Sequence, residues 1–571
     1  MTLTKSQSKN SISLYVTKSV RENGRKFSKV VEKLGTVAEL EKMLDGQDPI
    51  QWAEEYVREL TRQEQAGRKP DIMVKYSQSK LIEKDKQRFF SGGYLFLQNI
   101  YHELGLEKLC RKISEKYKFE FDLDSILSRL VYSRIIYPAS KLSTFDLSKK
   151  YLEPPRFEIQ HIYRGLEVIA KETDRIQAEL YKNSAKIIKR ETGVLYYDCT
   201  NYFFEIEQEE GLKQYGYSKE HRPNPIVQMG LFMDGDGMPL AFSITEGNTN
   251  EQTTLKPLEK KLLSDFELSK FVVCTDAGLS SAANRKYNDI GGRAFITTQS
   301  IKKLKKHLKD WALNPDGWLL PDDRKVYNIE SIDEEEHKES TFYKEQWINE
   351  DGLEQKLIVT YSIKYRDYQR KIRDGQIERA KKLIKSNPKK LKKANQNDYK
   401  RLIAKINVTS CGEVAEKELY SIDEAVIASE EKYDGFYGVC TNLEDEPAAI
   451  IKINQRRWEI EECFRIMKSE FKARPVYLKR DDRIKAHFTT CFISLLVYRI
   501  LEKKLEEKFT CHQIIEGLRG MNFLEVPAEG FVPTYTRTDF TDALHESFGF
   551  RTDYQIVSHS QMKNIFKASK T

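Results

Sequence analysis

The chain has 571 residues, of which 39% are hydrophobic, 11% aromatic and 32% charged, with a net charge of +8. This composition excludes a disordered or fibrous protein and provides for about three or four domains. The positive charge is local: residues 364–405 hold sixteen Lys/Arg against four Asp/Glu, so the rest of the chain is slightly acidic and one segment carries the basic signal.

Residues 11–34 alternate apolar and polar on both sides of Asn23-Gly24, the strongest short-range hairpin signal. Residues 37–64 predict two helices with charged outer faces. From residue 93 to 152 helical patterns dominate (YLFLQNIYHELGL, LDSILSRLVYSRIIYP), broken at Pro138 and at Pro154-Pro155. The front of the chain therefore divides into an N-terminal hairpin with helices (1–90) and a helical domain (91–190).

From residue 190 the period changes. Short apolar runs at 194–197, 225–233, 239–244, 271–274 and 294–298 predict strands; DGDG at 234–237 joins the second to the third, and a helical stretch at 251–264 precedes the fourth. Three antiparallel strands, a crossover helix and further strands make a mixed α/β sheet covered by helices, here 191–300. Residues 301–435 interrupt it with charged blocks, one clear strand (KLIVTYSI) and the Lys-rich segment. Sheet-like text resumes at GFYGVCTN, and a long helix is expected from about Ala449 into the 460s. The economical reading is a domain inserted into the sheet, whose second part is 436–505, followed by a C-terminal region, 506–571.

The eight cysteines form no C-x-x-C pair, and several lie in apolar runs, so neither a disulfide framework nor a zinc site is indicated. The N-terminus lacks an apolar signal region. The most apolar stretch, 488–500, is read as too short and too rich in Thr to span a bilayer. A reducing, cytoplasmic location with no membrane contact is expected.

Asp198 and Asp276 each end a short apolar strand and are followed by small or polar residues, YYDCTN and CTDAGLSS. Ligands gather at such strand ends, although an aspartate there also serves as a turn former or helix N-cap. In NQRRWEIEECFRIMKSEFKARPVYL, residues 454–478, helical spacing puts Arg457, Glu461, Arg465 and Lys468 on one polar stripe. Trp458, Ile460, Phe464 and Met467 are expected to form the buried face. Taken alone this is also the text of a salt-bridged surface helix.

The spacing Arg457, three residues, Glu461, six residues, Lys468 resembles the Y(2)R(3)E(6)K signature of IS4-type DDE transposases, with Asn454 in the place of the tyrosine. The resemblance extends to YYDCTNYFFE, YGYSKEHRPN, GNTNEQTT and CTDAGLSS, and is greatest to the IS1634 group. It implies an RNase H-like mixed sheet with an inserted, mainly β domain and an N-terminal helical domain. It further implies a DNA transposase in which Asp198, Asp276 and Glu461 are catalytic and hold two Mg²⁺ (or Mn²⁺) ions.

Phosphodiester chemistry needs a nucleophile made from water and a stabilised leaving oxygen, and two hard divalent cations held by carboxylates supply both. Arg457 and Lys468 suit phosphate contacts; Arg465, Arg474, His221 and Arg222 are further candidates for binding DNA. The Lys-rich segment, with Tyr365, Tyr368 and Tyr399 interleaved, predicts an amphipathic basic helix broken at Asn387-Pro388 that binds backbone phosphates without regard to sequence. The expected partners are double-stranded transposon ends and target DNA, bound by a homodimer beside the nucleoid. A catalytically inactive DNA-binding descendant and a general RNase H-like nuclease are the alternatives.

Overall fold

The computed structural model describes all residues except 9–10, 23–24, 45, 68–71, 73, 75, 322, 387–397 and 409–416. The chain forms two units, Met1–Lys86 and Gln87–Thr571. In the first, β1 (Thr2–Gln7), β2 (Ile12–Glu22) and β3 (Arg25–Thr36) form an antiparallel sheet in that order. The expected pairing of the second and third is present, while its Asn23-Gly24 turn lies outside the described residues. Thr36 opens the helix Val37–Met43 with a capping box closed by Glu39, and the helix Pro49–Gly67 follows. Leu14, Leu40 and Ala53 form the small core of this unit.

In the second unit β4 (Phe89–Ser91) precedes six helices between Tyr94 and Ile187. Four of these, Tyr94–Glu103, Leu123–Ile136, Ile159–Lys171 and Thr173–Ile187, pack against the helix Asp481–Lys504, which is long and apolar enough to cross a membrane by length and composition, contrary to the sequence reading. Nearly all of it is buried inside the fold, from Ile484 to Leu501, so its apolar surface is spent on the protein core.

The large sheet contains β5 (Val194–Phe203), β6 (Ile226–Asp234), β7 (Pro239–Glu246), β8 (Val272–Thr275), β9 (Ala294–Gln299), β10 (Trp318–Leu320), β11 (Asp323–Tyr327), β12 (Phe342–Glu350) and β13 (Leu353–Tyr361). A separate pair, β14 (Ile403–Val408) and β15 (Lys417–Ile422), lies outside it, and β16 (Phe436–Thr441) returns to it. The order is β11-β10-β12-β13-β16-β9-β8-β5-β6-β7. β5, β6 and β7 are antiparallel neighbours, and β5, β8 and β9 run parallel.

The segment 301–435 was expected as a domain apart. Four of its strands instead continue the sheet through β16, which bridges β9 and β13. A second apolar cluster, including Trp318, Phe342 and Leu357, covers this extension. The basic segment begins as the helix Ile363–Ser386, and its expected break at Asn387-Pro388 lies outside the described residues. Near the C-terminus β17 (Asn522–Val526), β18 (Gly530–Pro533) and β19 (Val557–Ser558) form a four-stranded sheet with β4, so the two ends of this unit share one core.

β5 is buried on both faces, as its run of Leu, Tyr and Phe demands. Leu195, Tyr197 and Cys199 pack with Leu255, Leu258 and Leu262 of the helix Leu255–Asp265. Tyr196 and Tyr202, on the other face, join the main core with Ile460 and Phe464. Side chains alternate along a strand, so Asp198 shares the face of Tyr196, Thr200 and Tyr202.

Candidate active site

The strand register brings the two aspartates together. Tyr196 pairs with Cys274 on the parallel β8; Asp198, expected at a strand end, lies two residues further on inside β5, and Asp276 lies two residues beyond Cys274, just past the end of β8. Asp276 has just left the sheet, and its carboxylate accepts a hydrogen bond from the Leu279 amide at 3.0 Å. The Asp198 carboxylate accepts one from the Cys199 amide at 2.7 Å.

The element facing them is not one helix. It consists of Pro447–Gln455, a break at Arg456, then Trp458–Arg465 and a π-turn, Ile466–Glu470. The break changes the phase, so Trp458, expected in the core, is 61% exposed, while Ile460, Phe464 and Met467 are buried as expected. This element crosses β5 residue by residue. Tyr196 Oη donates to the Ile453 carbonyl at 2.9 Å, Lys468 Nζ donates to Thr200 Oγ1 at 2.5 Å, and Tyr202 Oη lies 3.8 Å from Met467 Sδ. Asp198 stands between the first two contacts on the strand, as Arg457 and Glu461 do on the facing element.

The surroundings set the charge balance. Burial pushes the Asp198 carboxyl up to about 6; Lys219 opposes this, Asp276 adds to it, and Arg457 works with Lys219. Arg457 is itself half-buried; burial works against its charge, but Tyr437, Asp276, Cys274 and Asp198 outweigh that and hold the guanidinium above its ordinary range. Burial and the neighbouring Lys219 bring Lys468 down to about 8, with Asp198 opposing. Two aspartates thus face three cations, a balance that a phosphate or a metal ion entering the site alters directly.

Glu461 is exposed and lines an open cavity of about 630 Å³ with Tyr365, Tyr437, Asn454, Arg457 and Trp458. The three expected carboxylates do not all lie within 4.8 Å of one another. Among the described residues the group that does is Asp542, His545 and Asp553, whose carboxylates are already paired with Arg537 and Arg551. Drawing three bare carboxylates closer would raise their mutual repulsion.

Of the other expected contacts, Arg465 turns away and binds Glu462 at 2.7 Å. Arg474 pairs with Glu220, and the Arg474 and Arg222 guanidiniums lie 5.8 and 4.8 Å from the Phe203 ring. His221 is exposed beside Tyr217, with a left-handed φ of 55°.

Two residues were not singled out from the sequence. Lys219 binds the Cys199 carbonyl at 2.5 Å and Glu251 at 3.1 Å, fastening the YSKE and NEQTT blocks to β5. Tyr437, on β16, accepts from Asn454 Nδ2 at 3.2 Å and bonds Thr298 Oγ1 at 2.7 Å, so a phenol stands beside Arg457 although position 454 carries an amide.

A family model described as the transposase DDE domain matches residues 202–497, more than half of the chain. The chain belongs to the transposase DDE domain family. The matched stretch contains Asp276, Glu461 and the β8–β16 part of the sheet, and begins four residues after Asp198. DDE transposases use divalent metal ions, and the donor set fits them: the paired groups are carboxylates, hard oxygen ligands, and one of them is held at raised pKa by burial that a cation would offset. No curated protein matches the sequence. Among solved structures, a cryo-EM structure of a piggyBac transposase synaptic complex with hairpin DNA is similar at 9% identity and a TM-score of 0.34, over 75% of this chain and 78% of that one. That likeness is too remote to carry an argument.

Proposed function

We propose that this DDE-family chain is a metal-dependent transposase of the IS4 type, nearest the IS1634 group. It cleaves a phosphodiester at each transposon end and joins the freed 3′ hydroxyl to target DNA. The observation that carries this reading is the bracketing of Asp198: it lies level with Asp276 and beneath the element bearing Arg457 and Glu461. The strand order β7-β6-β5-β8-β9, antiparallel and then parallel, supports an RNase H-like core. We further propose that 91–190 supplies recognition of the ends, that two copies act on paired ends, and that the protein works on nucleoid DNA in the cytoplasm.

In this account Asp198 and Asp276 form the fixed wall of the site, and Glu461 is the movable third ligand, its flexible side chain turning from the groove toward the strands. Bound there, two Mg²⁺ ions would supply a hydroxide-like nucleophile and stabilise the leaving oxygen. Arg457 orients the scissile phosphate through its planar fork, and Lys468 contributes a point charge beside Thr200. Lys219 keeps Asp198 ionised near neutral pH. The buried faces of β5 exclude water from behind the aspartates, which strengthens each of these interactions.

Incubation of a labelled end-containing duplex with Mg²⁺ should give a nick at the element boundary, and added target DNA should give joined products. Asp198→Ala and Glu461→Gln should each lose cleavage while still binding DNA. Activity surviving both substitutions removes the assignment; cleavage without joined products favours a general nuclease, and binding without cleavage by the wild type favours an inactive descendant.

A further inference from the structure

A second cavity, of about 330 Å³, lies between the helical layer and the loop that follows the π-turn. It is separate from the aspartates. The loop reaches β5 where the Val476 amide binds the Phe203 carbonyl at 3.0 Å, and Phe203 is five residues, or roughly 17 Å, along the strand from Asp198.

Its lining combines Arg134, Lys141 and His487 with an apolar rim that includes Leu142, Tyr163 and Tyr477. Among the described residues lining it there is no carboxylate. Lys141 is 7% exposed, and its ammonium is sealed from water with no hydrogen-bond partner. Arg134, 6% exposed, donates to the carbonyls of Phe471, Lys472 and Ala139 at 3.1–3.4 Å, and its Nε is unpartnered. The His487 Nε2 faces the Ala473 carbonyl at 3.0 Å. Two buried basic groups are therefore gathered, Arg134 on neutral carbonyls and Lys141 on no partner. Burial favours the uncharged amine and a nearby anion the ammonium, so an anion entering the cavity would fix the charge that the fold leaves unpaired.

The backbone supplies a second attraction. Ser140, Lys141 and Leu142, at the start of the helix Lys141–Ser148, all line the cavity. The Ser140 hydroxyl accepts from the Ser143 amide at 3.2 Å, and a helix N-terminus with a lysine beside it is suited to phosphate. The rim offers two tyrosine rings to whatever the phosphate carries, and the volume falls within the usual range for a small-ligand pocket.

We propose that this cavity is a binding site for a phosphate group, carried either by a mononucleotide or by a DNA strand. Lys141 and Arg134 hold the charge, the helix N-terminus completes its hydrogen bonds, and Tyr163 and Tyr477 flank the attached sugar and base. Burial and the adjacent Arg134 bring Lys141 down to about 7. Cys491 also faces Lys141, Glu220 pairs with Arg474 at the rim, and an entering phosphate would hold the ammonium protonated.

The test uses the full chain in EDTA, where cleavage plays no part, so its outcome is independent of the catalytic reading. Inorganic phosphate, dAMP and a duplex are titrated at constant ionic strength into the wild type, Lys141→Met and Tyr477→Ala. For a mononucleotide, phosphate and dAMP should saturate one site and bind at least tenfold more weakly to Lys141→Met. Only dAMP should weaken in Tyr477→Ala. For a strand, the free probes should fail and duplex affinity should fall about tenfold in Lys141→Met.

Unchanged affinity of Lys141→Met for all three probes overturns the proposal. If that variant does not fold, Tyr477→Ala decides: it must weaken binding of dAMP for a mononucleotide or of the duplex for a strand, and unchanged affinity for both overturns the site.

Discussion

Replacing Asp198 by asparagine should stabilise the protein at neutral pH while destroying its activity. The folded carboxyl lies at about 6 against an ordinary 3.8, and each pH unit between the two values corresponds to about 1.4 kcal/mol, so keeping Asp198 ionised costs at most about 3 kcal/mol. The folded pKa is the higher one, so the folded state binds the extra proton between about pH 4 and 6. The cost is absent below that window, grows as pH rises through it and is complete above it. Asparagine retains the oxygen that accepts from Cys199 and carries no charge. Urea unfolding in EDTA should therefore show the variant gaining on the wild type by up to about 3 kcal/mol between pH 4 and 7.5, at unchanged m-value. A difference independent of pH, or a wild type that gains on the variant as pH rises, would refute the reasoning.

Lys219→Met removes the largest charge opposing the upward shift of Asp198, so the acid limb of the cleavage-rate profile should move to higher pH. Arg373 donates to Asp434 at 2.9 Å, with both residues buried; Arg373→Met leaves a buried carboxylate unpaired and should cost about 3–5 kcal/mol by chemical denaturation. In Gly93→Ala the new methyl would stand 2.0 Å from the Leu518 carbonyl oxygen, and the melting temperature should fall as for an overpacked core, by about 1–3 kcal/mol in stability. Neutralising Lys371, Lys381, Lys382 and Lys385 on the helix Ile363–Ser386 should lower DNA affinity for all sequences alike and reduce the salt slope by about 0.9 for each phosphate that is no longer neutralised.

The strands that carry the candidate residues were legible in the sequence, because short apolar runs specify them. The run before Asp276 is a strand that ends there, but the run before Asp198 continues through it to Phe203, so Asp198 sits inside β5 beside the end of the parallel β8. The succession of β5 to β9 along the chain, with a helix before β8, followed from the same runs. The extension of the sheet by β10 to β13 did not, because a strand's text specifies its pleat and its buried face but not which edge it joins. β1 was missed because its residues are mostly polar and exposed and carry no alternation. The misplacement of Trp458 came from reading one continuous helix across the break at Arg456, where a change of phase turns the indole outward. Lys219 and Tyr437 lie far from the signature in sequence, and only the folding of a loop and a late strand brings them beside Asp198 and Arg457. The signal for Lys219 was present in the YSKE block, whose loop returns to the carbonyl side of β5.

The central claim is that Asp198, Asp276 and Glu461 close on the same divalent ions when DNA is bound. Anomalous scattering from Mn²⁺ in crystals of the protein with an end duplex measures this directly. The account predicts ions about 2 Å from oxygens of all three carboxylates, with Glu461 turned out of its groove toward β5. Manganese on the aspartates with Glu461 still facing Tyr437 and Trp458, or no manganese at Asp198, would contradict it.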